Sequence, residues 1–349
     1  MPRVSVSLRV PGTSPMPEIV KLLQDVEAAG FDGAGILDSQ MLCRDTFVTL
    51  GQAAAATSRL QLFPAVTNPF TRHVSVLAGA AATVDELAPG RTKVVIGTGY
   101  TSASTIGRRP GTLAQMRECI SGMRALLAGE SMDFHGTPGR LAFAARERRV
   151  PILMAASGPK AIELAGEVAD GVMLLVGFHR GIVDAVMTHL ERGAKRAGRK
   201  VEDLEVIWAV RTGLAESTAE ARRQARPTVV HSGILSSRSR WLEHTGLEIP
   251  EYDIPDAVKR IYPDLSHAAN WEEAIAATSF VPDEVIAELC DAMGLIGTPA
   301  DCARRIGEMT ACGVTSLYIM AFETFTGPYR ELRAFRDEIF PRLRTAGLR

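Results

Sequence analysis

The chain has 349 residues, 46% of them hydrophobic and 23% charged, with a formal net charge of −1. That balance gives no electrostatic reason to expect nucleic acid or an anionic membrane surface, and no stretch approaches the roughly 18 apolar residues of a membrane span. Five cysteines, an odd number without a C-x-x-C pair, suggest neither a disulfide framework nor a zinc site.

The opening residues, MPRVSVSLRVPG, show no long apolar run or cleavage-type pattern, so the expectation is a soluble cytoplasmic protein. VSVSLRV (4–10) alternates with period two and predicts a first strand, ended by Pro11-Gly12. Residues 17–29 predict a helix with Ile19, Leu22, Leu23 and Val26 on one face and Gly30 as its stop. GAGIL (33–37) predicts a second strand that ends at Asp38, and 45–57 a helix with Asp45 as N-cap. A third strand is expected at 60–66, an Ala-rich helix at 75–87 and a fourth strand at 92–99. A long connection at 100–111 leads to a helix at 112–128. The cluster RERR (146–149) reads as a solvated loop. Strand five is 152–156 with its helix at 159–168; strand six is 172–176 with a helix at about 181–197. Strand seven is 204–210, strand eight 316–322, and a last helix covers about 328–343.

Eight strand-then-helix units predict a (β/α)8 TIM barrel in a single domain, preferred over a doubly wound sheet because of the count and the parallel-sheet character of the runs. Residues 211–300 are too long for an ordinary loop between strands seven and eight. With their aromatics, prolines and two short helical patterns they read as an insertion, either a lid or a packing element that buries its own apolar residues.

Chemistry in such barrels sits at the carboxyl ends of the strands. Strand two delivers Asp38 and Ser39 there; strand three delivers Thr67-Asn68 and then Arg72 and His73. Strand four delivers Gly97, Thr98, Gly99 and Tyr100, and strand five Ala156, Ser157 and Gly158. Strand six gives His179, strand seven Arg211 and strand eight Glu323. Pro159 suits the first turn of a helix, and the small residues before it would let an anion reach unpaired first-turn amides. The plainer reading is a capped αβ unit without a ligand. GTGYTSAS (97–104) is a weak match to a dinucleotide fingerprint, since Ser102 stands where glycine is wanted. It reads better as backbone donors and hydroxyls around a phosphate or polar ring edge, or else as a long turning loop. Asp38 is the stronger candidate for acid–base work. His73 and Arg72 are candidates as acid or anion clamp, with stabilisation of the third helix as the bland alternative. There is no metal-ligand spacing and no G-x-S-x-G elbow.

The stretches AAGFDGAGILDSQ (28–40), AAAATSRLQLFPAVTNPFTRH (53–73), AAATVDELAPGR (80–91), GTGYTSASTIGRRPGTLAQM (97–116), PILMAASGPKAIELAGEVADGVML (151–174) and GTPADCARRIGEMTACGV (297–314) carry a family likeness. The chain resembles the luciferase-like flavin- and deazaflavin-dependent oxidoreductases, nearest to the branch that includes methylenetetrahydromethanopterin reductase. The resemblance implies a barrel with an insertion, a homodimer, and an isoalloxazine or deazaflavin ring in the barrel mouth. It implies a non-proline cis peptide at Ala65–Val66 behind the ring, Asn68 at the ring edge, and Ala156, Ser157, Gly158 and Pro159 around the phosphate. It places Asp38 and Ser39 facing ring or substrate. Arg72, His179, Arg211 and Glu323, from the strand ends, are the expected substrate contacts. Deazaflavin relatives often carry Gly-Asp-Ser-Ala where this chain has Gly99-Tyr100-Thr101-Ser102-Ala103, so Tyr100 stands in place of an acid, to cover the ring or donate to it.

The leading expectation is hydride transfer between coenzyme F420 and a small organic substrate, with Asp38 or His73 handling the proton. The alternatives are an FMN-dependent monooxygenase fed by a separate flavin reductase, and a non-catalytic flavin-binding barrel.

Overall fold

The computed structural model describes residues 3–144, 149–262 and 264–349. Residues 146–148 of the RERR cluster lie outside the described residues, and the solvated-loop reading with them. Eight strands alternate with helices: β1 (Ser5–Val10), β2 (Gly33–Ile36), β3 (Gln61–Pro64), β4 (Val94–Ile96), β5 (Ile152–Ala156), β6 (Gly171–Leu174), β7 (Glu205–Leu214) and β8 (Ser316–Ala321). The sheet order is β3-β2-β1-β8-β7-β6-β5-β4. Parallel bridges Leu62↔Thr92 and Thr67↔Ile96 join β3 to β4 and complete the strand order of a (β/α)8 barrel. The strands are short apolar runs because both faces are buried: every residue of β2, β4 and β6 is out of solvent.

The helices follow from their apolar spacing. In α1 (Met16–Ala28), Ile19, Leu22, Leu23 and Val26 are buried as their i, i+3, i+4, i+7 spacing requires, each side chain contributing about 1.5–3 kcal/mol. In α2 (Thr46–Ala56) the Asp45 carboxylate accepts from the Phe47 and Val48 amides at 2.9 and 3.0 Å, the cap the sequence predicts. The next long helix is α3 (Val74–Leu87). The connection at 100–111 contains a short helix, Tyr100–Ser104, and a hairpin pairs Met132–Phe134 with Thr137–Gly139. Neither has enough residues to leave a periodic signal in the sequence.

Asp170 fastens the start of β5. Its backbone N–H donates to Ile152 O at 2.8 Å, and its carboxylate accepts from Ile152 N at 2.9 Å, from Arg149 at 2.5 Å and from Arg124 at 3.3 Å. Burial pushes this carboxyl up, but the Ile152 amide and the two guanidiniums outweigh it and hold its pKa below the ordinary value. A depressed folded pKa contributes stability that is fully present above the unfolded value, about 3.9, and is lost as pH falls through the depressed one. Asp170→Asn is therefore expected to flatten the acid limb of a stability-against-pH profile below about pH 4, read by urea unfolding. An unchanged acid limb would mean that Asp170 is not the group responsible.

The chain divides into two compact units, Ser7–Leu174 with His189–Ile207, and Met1–Val6 with Leu175–Thr188 and Trp208–Arg349. The second holds the insertion. The expectation that strand seven stops at residue 210 and that 211–300 is irregular with two helical patterns is corrected here. β7 runs on to Leu214 because residues 211–214 have a ladder on each side: Arg211 and Thr212 against Met320 and Ala321 of β8, and Arg211–Leu214 against a further parallel strand, Gly294–Gly297. Between them lie helices Thr218–Val230, Asp256–Arg260, Trp271–Ala277 and Asp283–Met293, a π-helical turn His231–Leu235 and a 3-10 segment Ser237–His244. These elements bury their own core, including Val229, Leu242, Ile261, Leu265, Ile286 and Leu289. Buried Arg226 ties it with an ion pair to Asp283 and a hydrogen bond to Thr278 O at 3.1 Å.

Candidate active site

Three carboxylate and guanidinium groups meet at the ends of β2 and β3. Asp38, 4% exposed, follows β2, and its Oδ2 accepts from Arg72 Nη1 at 2.7 Å. Its Oδ1 accepts from Gln40 Nε2 at 2.9 Å. The other terminal nitrogen of Arg72 donates to Asp45 Oδ2 at 2.6 Å, and the guanidinium lies 5.2 Å from the Phe47 ring centroid. Burial lowers the Arg72 pKa, but Asp38 and Asp45 more than compensate and hold it above its usual value. The same arrangement depresses Asp45, where burial is outweighed by the Val48 amide and Arg72. Arg72 thus bridges two carboxylates. Both oxygens of Asp38 are engaged, one by Arg72 and one by Gln40. His73 begins the third helix, the position the sequence also allowed for it. Exposed at the surface, it caps α3, its Nδ1 2.7 Å from Ser75 Oγ, and its ring lies 5.3 Å from that of Phe134.

The Ala65–Val66 peptide bond is cis. Ala65 N–H donates to Ile36 O at 2.7 Å, and Thr67 N–H to Val95 O at 3.0 Å, so this segment is held from both neighbouring strands. Gly97 is required beside it: a Cβ there would stand 2.8 Å from Val66 Cγ2. Asn68 is fully buried; its Oδ1 accepts from the Phe70 and Thr71 amides, both at 3.0 Å, and its Nδ2 donates to Ser102 Oγ at 3.0 Å. It shapes the turn after β3 and fastens it to the short helix 100–104. Gly99, at φ +76°, packs against it, and a Cβ would come 2.8 Å from Asn68 Cβ. The Gly97 N–H is used by Thr67 O at 2.8 Å, and Thr98 O accepts from Gly111 N–H at 2.7 Å. The stretch 97–99 is therefore close-packed and not a flexible donor loop. Tyr100 projects outward, 77% exposed.

At the end of β5 the geometry is different. Helix Pro159–Val168 begins with Pro159 in its first turn and has Gly158 as N-cap, without a side-chain cap. Gly158 has φ −106° and ψ 152°, a conformation open to any residue, and a Cβ placed on it would meet nothing within 4 Å. Neither backbone nor packing demands glycine there. Ala156 is buried, while Ser157 and Gly158 are partly accessible and precede the positive end of the helix dipole.

In the other unit, His179 precedes the helix that begins at Arg180, and its Nδ1 accepts from Gly181 N–H at 3.2 Å. Burial and Arg305 lower its pKa. Arg211 is buried on β7. Glu323 is exposed, accepts from Thr326 Oγ1 at 3.0 Å and lines a cavity of about 390 Å³ with Trp271, Phe322 and Arg330.

Three buried polar atoms at the β2 and β3 ends have no hydrogen-bond partner: Gln40 Oε1, Thr67 Oγ1 and Thr71 Oγ1. Buried groups of this kind are normally satisfied, so they call for a partner from outside the chain. The sequence places Thr67 at the end of strand three; Gln40, Thr71 and the second role of Asp45 were missed, and of these only Asp45 left a signal, as a helix cap. Together with the open helix N-terminus, these orphan groups fit a polar, anionic-tailed cofactor. Among the described residues no cluster of three or more His, Cys, Asp or Glu side chains is placed to hold a metal ion, and no helix is long and apolar enough to cross a membrane.

The 5,10-methylenetetrahydromethanopterin reductase of Methanolobus tindarius is 30% identical over 315 residues, 87% of this chain and 90% of that protein. An F420-dependent glucose-6-phosphate dehydrogenase of Beutenbergia cavernae is 32% identical over 246 residues, 64% of this chain and 70% of that one. The solved coenzyme F420 dependent tetrahydromethanopterin reductase from Methanopyrus kandleri superposes with a TM-score of 0.77 over 97% of this chain and 99% of its own, at 22% identity, and so shares the fold. A sequence profile described as luciferase-like monooxygenase matches residues 3–316, which span every strand from β1 to the first residue of β8; the chain belongs to that family.

Proposed function

We propose that the chain binds a deazaflavin, coenzyme F420, and transfers hydride between it and a small organic substrate. The observation that carries this reading is Gly158: a glycine that neither backbone nor packing requires, at an uncapped helix N-terminus, with open space where a side chain would be. Such a position suits the anionic tail of a cofactor, whose oxygens accept from first-turn amides. Relatives whose names carry F420 dependence, the Beutenbergia cavernae dehydrogenase and the Methanopyrus kandleri reductase, support the choice of deazaflavin.

When bound, a deazaflavin passes hydride and, with carbon in place of the reactive flavin nitrogen, reacts poorly with oxygen. The chain supplies orientation and electrostatics. Ser157, Gly158 and Pro159 would hold the tail. The cis segment Ala65–Val66, backed by Gly97, would support the ring. Gln40, Thr67 and Thr71 would meet its polar edge with three buried atoms that have no partner among the described residues. Asp38, oriented by Arg72 and Gln40, would face the ring or substrate.

Titration of the purified chain with F420 and with FMN, followed by absorbance and fluorescence, tests the assignment. Tight binding of F420, and its oxidation or reduction without oxygen, is the expected result. A product that carries an oxygen atom from O2, binding of FMN alone, or a loaded protein inert to every acceptor would each overturn it.

The homodimer belongs to the same proposal. Val48 on α2 and Val76 and Leu87 on α3 are exposed apolar residues, and Leu87 Cδ1 lies 3.8 Å from the Cβ position of Gly51, one turn along α2 from Val48. An apolar face spread over two packed helices suits a second copy of the chain. Val48→Glu with Val76→Glu is expected to shift the protein to monomer in analytical ultracentrifugation; a monomeric wild type would remove the dimer.

A further inference from the structure

The insertion forms a cavity of about 640 Å³ whose walls come from three consecutive segments. The first is the π-helical turn His231–Leu235, a rare geometry that is frequent at functional sites. Gly233 lets this turn lie against the insertion core, since a Cβ there would stand 2.5 Å from Leu289 Cδ2. The second is the 3-10 segment Ser237–His244, which turns Leu242 inward. The third is the stretch 247–255, which joins no helix or ladder. Its side chains alternate. Leu247 and Ile249 are partly buried with Glu248 exposed between them; after a shift of phase at Pro250-Glu251, Tyr252 and Ile254 are partly buried with Asp253 exposed between them. Period two marks extended chain with one face inward. The four inward residues pack against the insertion core, with the Tyr252 ring edge-on to Phe280 at 5.7 Å, and their other side lines the cavity.

Two features define what the cavity suits. The first is shape and polarity. Protein interiors are close-packed, and a gap of this size falls within the range of small-molecule sites, about 300–1,000 Å³. Its walls are mainly aliphatic and aromatic, so an alkyl chain gains by leaving water there. The second is charge. The charged side chains on the wall are Glu243 and Glu251, both exposed at its rim, and no Lys or Arg lines it. Glu243 meets the His244 imidazole at 3.2 Å, a partner that offsets its charge only when protonated. From Thr245 to Val258 the chain carries Glu248, Glu251, Asp253 and Asp256 and no Lys or Arg; of these, Asp256 pairs with Lys259 at 2.9 Å. An apolar chain that ends in an ammonium group complements both features, with its chain in the gap and its charge at the acidic rim.

We propose that this cavity binds an amphiphilic cation, an alkylammonium, with its chain against Ile234, Leu242 and Ile249 and its nitrogen at Glu243 and Glu251. The inference goes beyond the hydride-transfer reading and does not depend on it. The test is calorimetric titration of the full chain, without F420 and at low ionic strength, with n-octylammonium chloride, octanoate and octan-1-ol. Expected are a saturable octylammonium site, weaker binding of octanol and no binding of octanoate. Glu243→Gln with Glu251→Gln is expected to weaken octylammonium about five- to tenfold and to leave octanol within about twofold of the wild type. Both carboxylates are exposed, so this pair keeps the fold. Ile249→Trp fills the gap and is expected to weaken both ligands; if it unfolds the chain, the Gln pair still decides. Octanoate or octanol bound as tightly as octylammonium, octylammonium affinity unchanged in the Gln pair, or no saturable binding would overturn the site. A chain that binds octylammonium but not F420 would overturn only the function proposed above.

Discussion

Gly158→Val is expected to weaken F420 binding by roughly ten- to a hundredfold while leaving the fold as stable as before. The two halves have separate causes. A tail oxygen held by first-turn amides is a charge-assisted contact worth about 1.5–3 kcal/mol, and each 1.4 kcal/mol is tenfold in affinity. Valine branches into the space the tail would use. The protein itself has no objection to valine: φ −106° and ψ 152° lie in its preferred region, and no atom stands within 4 Å of the new Cβ. The denatured chain loses freedom with the substitution, so the unfolding midpoint should hold or rise slightly. A variant that binds F420 as tightly as the wild type would empty the proposed cradle. A variant that unfolds would show that Gly158 serves the fold.

Arg72→Met is expected to cost about 3–5 kcal/mol in urea unfolding, because it leaves the Asp38 carboxylate buried without its cation and also strips Asp45 of a partner. The double variant Arg72→Met with Asp38→Asn should recover a large part of that loss, since no buried charge is then left uncompensated. The comparison separates two readings of Arg72. As a bridge it couples energetically to Asp38; as a substrate clamp it would change turnover and leave stability alone. A loss below about 1 kcal/mol, or no recovery in the double variant, would place the arginine among ordinary surface pairs.

How far the sequence reached differs by the range of the interaction. The barrel was legible because each strand and helix writes its own local pattern: VSVSLRV became β1, ILMAA became β5 residue for residue, and Ile19, Leu22, Leu23 and Val26 went to the core. Asp45 announced itself as a cap because the preference is local. The cis bond at Ala65–Val66 came from family resemblance, not from any local signal, and it is present.

The tertiary structure decided what the polar residues do. Asn68, Arg72 and His73 sit at a strand end and looked alike as candidates; contacts 2 to 34 residues away assigned them to a turn, an ion-pair bridge and a helix cap. Gly97 and Gly99 read as loop glycines, yet one exists for Val66 and the other for Asn68 and a left-handed turn. Residues 211–300 hid the end of β7 and a further parallel strand, because their apolar residues face partners drawn from several segments and so follow no single period. Hydrophobic periodicity is a property of one element and can be read along the chain. Which donor meets which acceptor depends on where separate elements come to rest, and only the folded chain fixes that.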